Sequence, residues 1–230
     1  MISTTVVIPH AGSTETLIAV LIQLQMQTVL PVHIYIIDCS TNKSGLRIAQ
    51  KFCFNTVPIK VEVVQGTIYQ NWNRGILFSR KEHPDAGILI INDDVLLPVN
   101  AIELFQEAHI NTLDYCYVPE TPPRQHYSSK IETYFQNEGM IQSITSTNWM
   151  SGFVFYLTPS CIDSIGLFDE RFVVWYGDTD YERRILQKGK IKIIHGLYVY
   201  HYGSRSYDYQ LDEVQKIIDN DRIKFYKKIL

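Results

Sequence analysis

The stretch ILIINDDVLLP (residues 88–98) sets two neighbouring acids, Asp93 and Asp94, directly behind an uninterrupted aliphatic run. A run of that length and composition reads as a strand buried on both faces, as in a parallel sheet. Adjacent carboxylates at the exit of such a strand repel each other. Either they form a plain turn, for which Asn and Asp are well suited, or they hold a cation. Hard divalent cations favour carboxylate oxygens, and need only one or two from the protein when phosphates supply the rest.

Upstream, TTVVIP (4–9), VHIYIID (32–38) and IKVEVV (59–64) are further β-branched runs of the kind that form buried strands. Between them lie helical patterns. Leu17, Val20, Leu21 and Leu24 recur at helical spacing after a cap at Ser13 or Thr14, a weaker helix covers residues 46–54, and another runs over about 69–80. Asn100 and Glu103 have capping-box spacing ahead of AIELFQEAH. Strand and helix alternating over 110 residues predict right-handed crossovers and a mostly parallel, Rossmann-like sheet. Ligands of such sheets sit outside the carboxyl ends of the strands, the edge to which Asp38, Asp93 and Asp94 are assigned.

The second half changes character. Residues 119–148 are polar and proline-bearing, an excursion expected to contain a hairpin, and WMSGFVFYL (149–157) returns to strand. DTDYERRILQKG is a helix with acids at its start, bases towards its end and Gly189 as its stop. The tail from residue 212 is an amphipathic helix carrying Val214, Ile217, Ile218 and Phe225; it packs on the body or on a second subunit, which leaves a homo-oligomer open. Without repeats or a clean linker, residues 1–230 read as one domain: 1–110 for the ligand-binding half, 111–206 for a second half with a smaller β region, 207–230 for the tail.

A net charge of −3 and a pI near 6.2 provide no chain-wide basic field for nucleic acid. The 46% apolar content is that of a folded globular chain. Cys39, Cys53, Cys116 and Cys161 lack metal-ligand spacing and read as small buried hydrophobes in a reducing compartment. MISTTVVIPH reads as a strand rather than a signal peptide, and no stretch approaches the roughly 18 apolar residues that span a bilayer. The expected location is cytoplasmic. The 15 tyrosines suit a polar-ligand cleft as well as a core.

In order along the chain, VVIPH, QMQT, IYIIDCSTN, NWNRGI, ILIINDDV, WMSGFVFYL and IGLFDERFVVWYGDTDYERRILQKG resemble the family 2 glycosyltransferases, over most of residues 4–205. The resemblance implies the GT-A fold and inverting transfer of a sugar from a nucleoside diphosphate donor (UDP-, dTDP- or GDP-sugar) to a glycan or glycoconjugate hydroxyl. By that resemblance Asp38 reads the base, and Pro9, Asn73, Arg74 and Asp93 line the nucleotide-sugar site. Asn92-Asp93-Asp94 aligns with an acidic metal motif that usually begins with Asp, so the Mn²⁺ or Mg²⁺ role falls on Asp94, with His201 as a further ligand. Asp178 takes the place of the general base, although Gly177 stands where the family usually has Glu. Trp149 and Met150 match the acceptor-side strand.

Each assignment has a plainer alternative. Asp38 can form an Asx-turn, Arg74 a solvated helix face, and Asp178 an N-cap. His201, Trp149 and Met150 can simply pack, and His10, His126 and His195 are expected to pack or to lie at the surface. Two rival functions also stand. A nucleotidyltransferase would want a basic glycine-rich loop after the first strand, and PHAGSTE has neither Lys nor Arg. A non-catalytic sugar or nucleotide binder would account for Asn92 and Gly177.

Overall fold

The computed structural model describes residues 2–11, 14–51, 57–121, 139–202 and 211–229. The first half alternates as expected: β1 (Thr4–His10), α1 (Thr14–Gln25), β2 (His33–Asp38), α2 (Ser44–Lys51), β3 (Ile59–Val63), α3 (Ile68–Glu82) and β4 (Gly87–Ile91). Next come β5 (Val95–Leu96), α4 (Ala101–Thr112), β6 (Cys116–Glu120), β7 (Ser143–Thr147), β8 (Val154–Leu157) and α5 (Pro159–Ile165). The chain ends with α6 (Gly177–Leu186), β9 (Ile191–Tyr198), β10 (Tyr200–His201) and α7 (Leu211–Ile229).

Eight strands form one sheet in the order β3-β2-β1-β4-β8-β6-β9-β7. The block β3-β2-β1-β4 is wholly parallel, β8 runs antiparallel to both β4 and β6, and β6 and β9 are again parallel. Strands from both halves of the chain therefore share one sheet. Because successive side chains on a strand point to opposite faces, β1 sends Val6 and Ile8 into a layer with Leu17, Leu21 and Phe105, and Val7 into a layer with Tyr69, Trp72 and Ile76. On the second face α3 lies so close that a Cβ on Gly75 would stand 2.2 Å from Val7 Cγ1, an approach only glycine permits.

The order of the first four strands fixes where a ligand can sit. From β1 the chain steps outward to β2 and β3, then returns across β1 to place β4 on its other side. At such a switch point the loops leave in opposite directions and open a crevice at the carboxyl ends of the strands. Pro9 and His10 end β1, and Asn92 and Asp93 follow β4.

Several local expectations are corrected. Asn100 caps α4 by position without a side-chain bond, because its amide is taken by the main chain of Gly139 at 2.8 Å in both directions. Glu103 instead accepts from Thr28 Oγ1. A complete capping box stands at α3, where Thr67 Oγ1 accepts from Gln70 N and Gln70 Oε1 accepts from Thr67 N. In 149–157 only Val154–Leu157 is strand, since Ser151 Oγ turns the chain by accepting from Val154 N. The excursion expected over 119–148 begins inside β6 and contains β7, which pairs with β9; its residues 122–138 lie outside the described residues, as do Ser13, Cys53, His126 and the end of the helix expected over 46–54.

Candidate active site

A cleft of about 350 Å³ opens at the switch point. Pro9, His10, Asn92 and Asp93 form its sheet side, Gly66 and the first turn of α3 with Tyr69, Asn71 and Trp72 form one wall, and Gly152, Val174 and Asp178, the last two next to Tyr69, complete the lining. The positive end of the α3 dipole thus lies at the cleft, where it favours an anion.

Asp93 is held from within the protein. His10, expected to pack or to lie at the surface, is buried with Nδ1 2.7 Å from Asp93 Oδ2 and Nε2 2.8 Å from Ser44 Oγ. One ring ties the ends of β1 and β4 to the start of α2. A histidine directly after the proline of a buried parallel strand was the available signal, since that is the ligand-bearing edge.

Asp94 is not part of the cleft lining. The two-stranded ribbon of β5 and β10 pairs Val95 with His201, and Tyr202 N donates to Asp94 O at 3.0 Å. This brings His201 Nε2 to 3.0 Å from Asp94 Oδ1 without hydrogen-bond alignment, and Oδ1 is buried with no hydrogen-bond partner. Phe153 stacks on the His201 ring at 4.2 Å and fixes its plane. Two ligand atoms each about 2.1 Å from one octahedral ion stand about 3 Å apart, so this imidazole and carboxylate fit neighbouring positions on a divalent cation. Among the described residues no group of three or more His, Cys, Asp or Glu is arranged to hold a metal.

Asp178 sits in the first turn of α6, facing the cleft. It is not the N-cap: that position is Tyr176, in the left-handed region at φ 64° and without a side-chain bond. Asp178 Oδ1 accepts from Thr179 N at 2.9 Å and stands 3.4 Å from the Tyr69 hydroxyl. Burial pushes its carboxyl above the usual carboxylate range, against the lowering effect of these donors. The glutamate expected at 177 has no room, because a Cβ there would lie 2.4 Å from the Tyr69 ring.

The turn ahead of Asp178 is fastened by the last helix. Asp221 Oδ2 accepts from Val173 N at 2.9 Å, Val174 N at 3.0 Å and Trp175 N at 3.2 Å, while Lys224 Nζ approaches Oδ1 at 2.9 Å. The tail therefore packs on the body of its own chain. An acid four residues before the buried Phe225, on the apolar face of the helix, was the overlooked signal.

The remaining expected residues are engaged away from the cleft lining. Asp38 is fully buried, Oδ1 accepting from Ser40 N at 2.9 Å in an Asx-turn and Oδ2 from Leu46 N at 3.0 Å, while its neighbour Cys39 lines the cleft. Asn73 clasps the main chain of Phe168 and reaches Glu170 Oε1, tying α3 to that turn. Arg74 pairs with Glu62 at 3.1 Å. Met150 is buried, its N–H donating to Glu182 Oε2 at 2.8 Å, whereas Trp149 is 45% exposed. Pro9, Asp93 and Asp178 share the cleft; Asp94, next to Asp93 in the chain, pairs with His201 outside that lining.

No family model and no curated protein sequence matches the chain. Solved structures do, and they share its architecture: the chain has the α/β fold of GT-A glycosyltransferases. One is GalNAc-T7 with UDP, GalNAc and Mn²⁺, at a TM-score of 0.68 and 14% identity over 98% of this chain and 50% of that one. Another is TarS of S. aureus, at 0.66 and 13% over 96% and 43%; its 1–349 fragment with UDP-GlcNAc matches at 0.66 and 14% over 96% and 66%. The chain spans about half the length of the first two proteins. Among the described residues no helix is long and apolar enough to cross a membrane.

Proposed function

We propose that the chain is a metal-dependent, inverting glycosyltransferase that moves a sugar from a nucleoside diphosphate donor to an acceptor hydroxyl. The observation that carries this reading is the convergence of Asp93 and Asp178 on one cleft at the sheet's switch point. Asn71 Oδ1, Trp72 Nε1 and Asn92 Oδ1, all on residues lining that cleft, are buried without a hydrogen-bond partner. Such groups cost free energy unless a polar ligand satisfies them, and a sugar ring rich in hydroxyls suits them.

In this reading Asp178 takes the proton from the acceptor hydroxyl. The oxygen attacks the anomeric carbon, a new C–O bond forms, and the bond to the diphosphate breaks with its electron pair leaving on phosphate. Attack from the face opposite the leaving group inverts the centre. A carboxyl raised by burial is a stronger base once ionised, which matches the task. Asp93, fixed by His10, orients the sugar. Asp94 and His201 would hold Mn²⁺ or Mg²⁺, whose charge would offset that developing on the departing diphosphate. The turn built by Asp38 shapes the nucleotide end, Asn73 and Arg74 hold α3 in place, and Trp149 offers an exposed indole on which an acceptor sugar can stack.

UDP-sugars are the first donors to try, since GalNAc-T7 and TarS were solved with UDP or UDP-GlcNAc. The test is release of nucleoside diphosphate from a panel of nucleotide sugars with Mn²⁺. Turnover that disappears in Asp178→Asn and Asp94→Ala supports the enzyme. Nucleotide binding without turnover by the unsubstituted chain overturns it in favour of a binder.

A further inference from the structure

Tyr69, on α3, lies 108 positions from Gly177 in sequence, yet its hydroxyl accepts the Gly177 N–H at 3.0 Å and donates to Val174 O at 2.8 Å. The same oxygen stands 3.4 Å from Asp178 Oδ1. The ring is 1% exposed, wedged by Trp72, Phe168 and Phe172, and it fills the space a side chain at 177 would need. One side chain thus grips the turn on either side of Tyr176 and touches the carboxylate that follows it.

That turn needs gripping. Tyr176 is a bulky residue in the left-handed region, a conformation that costs about 1–3 kcal/mol and persists only where the surroundings over-determine it. Asp221 fastens residues 173–175 through three N–H groups, and Tyr69 bridges the main chain of Val174 and Gly177.

We propose that Tyr69 is the positioning residue of Asp178, aiming the carboxylate by clamping the 174–177 turn and by direct contact; this rests on the reading of Asp178 as general base. Gly177 is then the complement of Tyr69 rather than a lost functional residue, since the two occupy one space. The titratable and charged groups around Asp178 are Tyr69 from α3, Glu182 from its own helix, Asp93 across the cleft, and Asp221 with Lys224 from α7. Burial and the charge of Asp178 raise the Tyr69 hydroxyl well above its ordinary value, so it stays protonated and able to donate. The hydroxyl has one hydrogen, given to Val174 O at 2.8 Å; swung from there to Asp178 Oδ1 at 3.4 Å, it favours the ionised carboxylate, in opposition to burial.

Tyr69→Phe keeps the ring and removes the hydroxyl. Carboxyl ¹³C NMR of aspartate-labelled protein reads the Asp178 midpoint with or without turnover, assigned by its loss in Asp178→Asn. The expected result is an upward shift of about half a unit to one unit, the scale of one modest hydrogen bond. In the transfer assay kcat falls about ten- to a hundredfold with KM nearly unchanged, as for a misaimed reacting group, and the acidic limb of the pH profile moves to higher pH. Gly177→Ala, which keeps the hydroxyl but presses on the ring, lowers kcat in the same way and serves if Tyr69→Phe does not fold. An unmoved midpoint with wild-type kcat in either folded variant overturns the proposal, whatever Asp178→Asn does. A moved midpoint together with full turnover by Asp178→Asn leaves the positioning intact and removes the base assignment instead.

Discussion

His10 and Asp93 meet at 2.7 Å, ring nitrogen to carboxylate, and so lock together the two strand ends that form the switch point. Both are buried, and the other ring nitrogen is held by Ser44. His10→Ala leaves a buried carboxylate and hydroxyl without this partner, a loss of about 1–3 kcal/mol. Urea unfolding should show a lower midpoint at unchanged slope. An unaltered midpoint would mean that the pair holds nothing together.

Asp178 gives a prediction in which stability and activity part. Its folded carboxyl titrates above the unfolded value because burial disfavours the charge. The resulting penalty on the folded state appears as pH rises past the unfolded value and is complete above the folded one. Asp178→Asn therefore melts at or above the wild-type temperature at pH 7, and the gap closes below about pH 4. Turnover falls by about 10²–10⁴, the usual worth of a general base. Calorimetry at the two pH values, beside the transfer assay, checks both halves.

The Asp94–His201 pair predicts a metal phenotype. With UDP present, His201→Ala should weaken Mn²⁺ binding about tenfold or more, and Asp94→Ala should weaken it further, since the carboxylate also brings charge. Titration followed by electron paramagnetic resonance measures this without any turnover. Wild-type affinity in both variants would move the metal away from this ribbon.

Asp221 lies on the last helix and takes no part in lining the cleft. Asp221→Ala should nevertheless cost about 2–5 kcal/mol, because three backbone N–H groups lose one shared acceptor. A kcat reduced with KM kept would show that α7 supports the base from behind. Urea melts and steady-state kinetics on one preparation separate the two effects.

Much of the first half was legible in the sequence because buried parallel strands read as aliphatic runs, and their carboxyl ends advertise a ligand edge. β4 and the acids after it are the plainest case. The edge strand β7, SITST, was not legible, being polar and largely exposed, with only its pairing to β9 to define it. Nor was the fate of Asn100, whose spacing with Glu103 promised a capping box while its amide was committed to Gly139. Tyr69 and Asp221 escaped for a related reason: each acts on the turn before Asp178 from a distant part of the chain. Local pattern carries no trace of such contacts. Gly177 was half legible: the sequence showed a glutamate missing from the family pattern, but not the Tyr69 ring that fills the space a side chain there would need.

The most direct measurement is a crystal structure of the chain with a UDP-sugar and Mn²⁺. The account predicts diphosphate and cation beside Asp94 and His201, with the sugar between Asp93 and Asp178 and its anomeric carbon open to the latter. Nucleotide bound outside this cleft, or a sugar turned with its anomeric carbon away from Asp178, would contradict it.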